Sequence, residues 1–115
     1  MSLCFGRIVW ATIPDSRGLA QERHPAVVIT PTDDIVDGGT IWVVGVSTKS
    51  HLSPEADRTE LQYDPSGRCR TKLKRRSWAV STWLEEITAA DVESYAGIVS
   101  DEVMDEIVGK IPKLG

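Results

Sequence analysis

The sequence predicts a mostly β protein, a small antiparallel barrel or sheet closed by a C-terminal helix. Its 115 residues are enough for one modest core and one domain, taken as 1–115. From residue 5 to 81, short runs rich in β-branched and aromatic residues alternate with Gly-, Pro- and Asp-rich breaks. Near the end the apolar spacing changes to every fourth residue.

"FGRIVWATI" (5–13) alternates and reads as a strand. "PDSRGLAQER" (14–23) collects turn formers and reads as a loop, longer than a hairpin turn. "PAVVITP" (25–31) is continuously apolar between prolines, so a strand buried on both faces is expected. "TDDIVDGG" (32–39) connects it to "TIWVVGVST" (40–48), the most strand-like stretch, where Gly45 allows a bend or bulge. "KSHLSPEAD" (49–57) is a polar loop, "RTELQY" (58–63) a half-buried strand and "DPSG" (64–67) a tight turn. "KLKRRSWAVS" (72–81) reads as a further strand that "TWLEEI" (82–87) extends or kinks away from. Thr88 with Asp91 predicts a short capped helix over 89–95. Ser100 caps a second over 101–111, with Val103, Ile107 and Ile111 as its apolar stripe.

Composition excludes several classes. The apolar share of 41% and charged share of 26% suit a soluble domain. No apolar run reaches the roughly 18 to 20 residues of a membrane helix, so no membrane partner is expected. The first residues lack the charged start and apolar middle of a secretory signal, which makes a cytoplasmic location the expectation. Cys4 and Cys69 form no CxxC pair and stand at no metal-ligand spacing to the two histidines; both are expected to be reduced thiols. Neither metal nor cofactor is implied. The net charge of −4 hides an asymmetry. Residues 1–84 hold 11 Lys/Arg against 9 Asp/Glu, and residues 85–115 hold 2 against 8. A mildly basic body precedes an acidic tail, and the distribution matters more than the sum.

The series "GRIVWATIPDSRGLAQERHPAVVITP", "IWVVGVST", "SWAVSTWLEEI" and "SDEVMDEIVGKI" resembles the MazF/PemK toxins of bacterial toxin–antitoxin pairs, from about residue 6 to 111. The resemblance implies an SH3-like barrel of the plasmid-toxin type with a C-terminal helix, usually a homodimer. It implies a metal-independent endoribonuclease that cuts single-stranded RNA and is neutralised by a cognate antitoxin. Such an enzyme uses the RNA's 2′-hydroxyl as nucleophile and leaves a cyclic phosphate. The protein supplies a base, an acid and stabilisation of the phosphorane-like transition state.

Carried over by position, the family arginine before proline falls on His24, with Arg23 beside it. The loop is one residue shorter here, so both remain candidates for the role. Histidine moves protons near neutral pH, whereas arginine supplies charge and a planar fork for phosphate. The family's strand-ending Thr/Ser falls on Ser47, with Thr48 next, and such a hydroxyl can hydrogen-bond a scissile phosphate. Arg23, His24, Ser47 and Thr48 are thus the expected catalytic set. Arg17, Gln21, Lys49, Lys74 and Arg76 are the expected RNA-binding residues. Gln21 matches the loop glutamine; the acid before it is Ala20 here, with Glu22 as a possible substitute. His51, after Lys49, permits an acid–base pair with His24.

Arg68, Arg70, Lys72, Lys74 and Arg76 alternate, so in a strand they would share one face, either solvated or tracking phosphates. Trp10, Trp42 and Trp78 are expected in the core or a dimer interface. The family's later Asp-Gln pair falls on Thr82-Trp83, where Trp83 is expected to be buried, or else a stacking platform. That departure favours a rival reading: the same fold without nuclease activity, acting by binding RNA or a protein partner such as gyrase.

Overall fold

The computed structural model describes residues 3–49 and 53–112. Its strands are Arg7–Pro14 (β1), Gln21–Val28 (β2), Thr40–Ser47 (β3), Arg58–Leu61 (β4), Ser77–Thr88 (β5) and Val92–Ile98 (β6), followed by one helix, Asp101–Gly109 (α1). They form one antiparallel six-stranded sheet in the order β4-β5-β3-β2-β1-β6. The sheet curls back on itself. The amides of Gly97 and Ile98, at the β6 edge, donate to the carbonyls of Thr71 and Arg70 at 3.0 and 2.8 Å. A Cβ at Gly97 would lie 1.7 Å from the Arg70 oxygen, so only glycine permits this closure.

Both faces of the central strands are covered. Ile8, Val27 and Val44 align across β1, β2 and β3 and pack with Met104 and Ile107 of α1. Val9, Ala26, Val28 and Val43 point the other way and pack with Val80, Trp83 and Ile87 of β5. Ala26, Val27 and Val28 are all fully buried, as the unbroken apolar run implies. Removing a valine-sized side chain from water contributes about 1.5–3 kcal/mol.

The helix is held at both ends. Ser100 Oγ accepts from the Val103 amide at 3.4 Å, and Asp101 and Glu102 sit favourably in the first turn. Ser81 Oγ donates to the Ile107 carbonyl (2.9 Å), and Lys110 Nζ donates to the Arg58 carbonyl (2.7 Å). The buried stripe is Met104 and Ile107, with Val103 half-buried beside them, while Ile111 lies past the helix end.

Three expectations are corrected. The helix over 89–95 is absent: Thr88 and Asp91 do form a capping box, but on a single 3-10 turn, Ala89–Asp91, that feeds β6. Val92, Ser94 and Ala96 alternate with exposed Glu93 and Tyr95, a period of two that the capping signal masks. The strand over 72–81 starts only at Ser77, because Lys72 adopts φ +62° and Thr71 Oγ1 bonds the Gln62 carbonyl at 2.6 Å, folding the preceding segment into turns. The alternating cations therefore share no strand face. The loop over 14–23 is shorter than expected: Gln21–His24 belong to β2, paired with Pro14 back to Ala11. Trp42 is 46% exposed, outside the core, which leaves the interface half of its expectation, and Trp83, at 5%, is buried as expected.

Gly45 sits at the bulge where the β3–β5 register shifts between Val44 and Val46. There β5 bends, and Trp83 lies flat against the glycine. A Cβ would come within 2.1 Å of the indole. Gly45→Ala is therefore expected to cost about 3 kcal/mol or more, the upper range for overpacking. In a Trp83→Leu background the same change should cost under about 1 kcal/mol, because the two sites couple. Urea unfolding of the four proteins measures this.

Candidate functional site

The site begins where β2 and β3 part. Only Ala26–Val28 pair with β3, against Gly45–Val43. Pro25 has no N–H to continue the ladder, so the β2 edge from Gln21 to Pro25 has β1 as its only strand neighbour among the described residues. The gap is a groove of about 670 Å³. Its walls are β2, the end of β3, the β1–β2 loop and the turns before β5.

All four expected catalytic residues, Arg23, His24, Ser47 and Thr48, line this groove. Of the expected RNA-binding residues, Arg17, Lys49 and Lys74 line it as well. Two do not. Gln21 starts β2 opposite Pro14, outside the lining. Arg76 is drawn away: its Nε donates to Glu60 Oε2 at 2.6 Å, and its guanidinium lies 5.1 Å above the Trp78 ring centroid. That pairing holds the Glu60 carboxyl below the usual carboxylate range. His51 lies outside the described residues.

Arg23 and His24 are adjacent in a strand, so their side chains leave opposite faces. Arg23 stacks 4.3 Å above the Trp10 ring centroid, and its Nε donates to Glu93 Oε2 at 3.2 Å. His24 is the more enclosed, with 24% of its side chain exposed. Its ring meets Trp83 edge-on, centroids 4.9 Å apart and planes at 79°. Its Nε2 is 2.8 Å from Glu22 Oε2. Trp83 is itself fixed, its indole N–H donating to the Pro14 carbonyl at 2.9 Å. Ser47 Oγ accepts from the Lys49 amide (3.0 Å), which turns the chain so that Lys49 also faces the groove.

Sequence reasoning gives Arg75 no role, although it lines the groove with Lys72 and Lys74. It falls between the alternating positions, and turns rather than a strand decide which cations face inward. In the sequence Glu22 stands only as a substitute for a missing acid. Its spacing of two from His24 carries meaning once residues 21–24 are seen as strand, because i and i+2 share a face. Among the described residues, no group of three His, Cys, Asp or Glu side chains is placed to hold a metal ion. No helix among them is long and apolar enough to cross a membrane.

The β1–β2 loop is built on Asp15. Its Oδ1 accepts from the amides of Leu19 (2.8 Å) and Arg17 (3.1 Å), and Gly18 turns the chain at φ +71°. The Asp15 amide closes the loop on the Ala20 carbonyl at 2.7 Å.

Over residues 5–114 the sequence matches the family of PemK-like, MazF-like toxins of type II toxin–antitoxin systems, and the chain belongs to that family. Solved structures share the fold at low identity. MazF from Deinococcus radiodurans superposes with a TM-score of 0.72 at 14% identity, covering 96% of this chain and 94% of that one. A MazE–MazF complex from the same organism gives 0.68 at 15%, covering 96% and 92%. An endoribonuclease from a mycobacterial species gives 0.67 at 11%, covering 96% and 88%. No curated protein matches in sequence.

The loop makes a pH-dependent prediction. The Leu19 amide, then the amide and charge of Arg17, hold the Asp15 carboxyl below its ordinary 3.8. Its folded ionisation is therefore depressed, so its stabilising effect is present above the unfolded value and lost as pH falls through the folded one. Asp15→Ala should lower the urea midpoint at about pH 6 and narrow its gap to the midpoint at about pH 3. Glu60 and Asp64, also depressed, should retain the remaining acid slope. An unchanged slope would show that the loop bonds do not persist in solution.

Proposed function

We propose that the chain is the toxin of a type II toxin–antitoxin pair and a metal-independent endoribonuclease acting on single-stranded RNA in the cytoplasm. One observation carries the reading: the groove between β2 and β3 brings a half-enclosed histidine together with cations from three separate segments. Arg17, Lys49, Lys74 and Arg75 suit a phosphodiester backbone, which an exposed cation line binds without reading sequence.

In the proposed reaction the RNA's 2′-oxygen attacks the adjacent phosphorus. The O2′–P bond forms as the P–O5′ bond breaks, leaving a cyclic phosphate and a free 5′-hydroxyl. His24 takes the 2′-hydroxyl proton, and a water in the open groove protonates the departing 5′-oxygen. Ser47 and Thr48 hydrogen-bond the phosphate, while the lysines and Arg75 meet the charge that builds on it. Arg23, held by Glu93 and Trp10, shapes the groove wall and adds positive potential. Likeness to the MazE–MazF complex supports an antitoxin partner, and the family supports a homodimer built from one such domain.

Thr82-Trp83 favours a second reading, in which the fold binds a protein target without cutting RNA. Trp83 is spent on packing and on the Pro14 carbonyl, and Thr82 carries no acid.

Incubation of the purified protein with a long unstructured RNA separates the two. Specific cuts that survive EDTA are expected, with His24→Ala slowing them by about 100-fold or more and Arg23→Ala much less. Absence of cuts together with growth inhibition in cells would favour the second reading. Affinity for an uncleavable RNA should fall steeply with salt. Removing Lys74 and Arg75 together should flatten the log–log slope by about 0.7 for each phosphate that is no longer neutralised.

A further inference from the structure

Two carboxylates line the groove: Asp15 is taken up by the amides of its own loop, whereas Glu22 is one that an RNA-binding surface has reason to avoid. Glu22 is 53% exposed on the groove wall, where a polyanion would approach. Five Lys/Arg side chains besides Arg23 line the same groove, yet the partner of Glu22 is His24, at 2.8 Å. The pairing follows from the fold. Residues 22 and 24 share a face of β2, and the Trp83 ring, nearly perpendicular to the imidazole, confines it. Trp83 cannot recede, because its indole is hydrogen-bonded to Pro14 and packed on Gly45.

We propose that Glu22 is the positioning residue for His24, fixing the neutral ring as its Nε2–H tautomer so that Nδ1 is the proton acceptor. The inference rests on the nuclease reading above. A neutral imidazole carries its proton on one nitrogen, and the partner of that nitrogen selects which. Glu22 Oε2 accepts the Nε2 proton. Nδ1 has no partner among the described residues, so its lone pair remains for the 2′-hydroxyl of the substrate. After proton transfer both ring nitrogens bear hydrogen, and the same carboxylate stabilises the imidazolium as the O2′–P bond forms. Glu22 itself stays ionised and touches neither substrate nor the reacting atoms.

The test combines kinetics with ring-nitrogen NMR on the whole chain. In the wild-type protein, long-range proton–nitrogen spectra of neutral His24, assigned with His24→Ala, should show the Nε2–H form predominating. Glu22→Ala should give a tautomer mixture and lower kcat by about tenfold, the worth of one charge-assisted hydrogen bond, with KM and thermal stability little changed. Glu22→Gln, which keeps an oxygen acceptor for Nε2–H, should retain the tautomer and recover part of the rate. An unaltered tautomer or an unaltered kcat in Glu22→Ala overturns the inference while leaving the nuclease reading intact. A rise in KM alone does the same, because Glu22 would then act on binding. Absence of cleavage by the wild-type protein overturns the nuclease reading and the inference with it.

Discussion

The contact between Trp83 and Gly45 is the constraint on which the rest of the structure depends. At most strand positions a side chain would bar a tryptophan from lying against the neighbouring backbone. Here the missing Cβ lets the indole pack flat, and β5 bends around the bulge to deliver it. Two consequences follow. The bent β5 pairs with β3 on both sides of the shift and with β4 at its start, which brings the sheet round toward closure at β6. The indole also becomes the wall against which His24 stands. Core packing and site geometry therefore share one side chain, so a substitution at Trp83 perturbs both.

The groove itself results from a ladder that stops. Pro25 has no amide to offer, and Gly45 opposite Ala26 marks the last β2–β3 pair. Past that point β2 is still paired with β1, while β3 pairs on with β5 alone. Site residues on a strand edge are held more firmly than residues on a loop. The remaining cations come from the β1–β2 loop, the segment just after β3 and the turns before β5, which suits the contouring of a flexible polymer. Charge is segregated accordingly. The acids of α1 and the carboxylates of late β5 lie away from the groove, so a net charge of −4 coexists with a groove in which cations outnumber acids.

Legibility in the sequence varies with the kind of signal. An unbroken apolar run marks the second half of β2, because burial on both faces leaves no other composition, and runs rich in β-branched and aromatic residues mark β1 and β3. The Ser100 cap locates α1, since its serine and acidic first turn act locally. β6 is hidden because Thr88 and Asp91 cap a 3-10 turn with the same hydrogen bonds that would start a helix. The basic run misleads because strand alternation does not apply where Thr71 and the left-handed Lys72 make turns. Family likeness rather than pattern points to the site residues. The pairing of Glu22 with His24 requires knowing that the polar cluster before Pro25 is strand. In a loop, a spacing of two has no fixed meaning.

That cluster also bears on the most conspicuous departure from the family. Where the resemblance places the family's Asp-Gln pair stands Thr82-Trp83, and its tryptophan is committed to Gly45 and Pro14. The chemistry of a carboxylate is therefore missing from that part of β5. On β2, however, a carboxylate stands two residues before a histidine, on the same face and in contact with it. The two positions meet physically, because Trp83 is the surface that confines the histidine ring. In the proposed reaction the acid–base function rests on β2, with Trp83 of β5 as the wall that holds the ring beside the groove in which the phosphate sits.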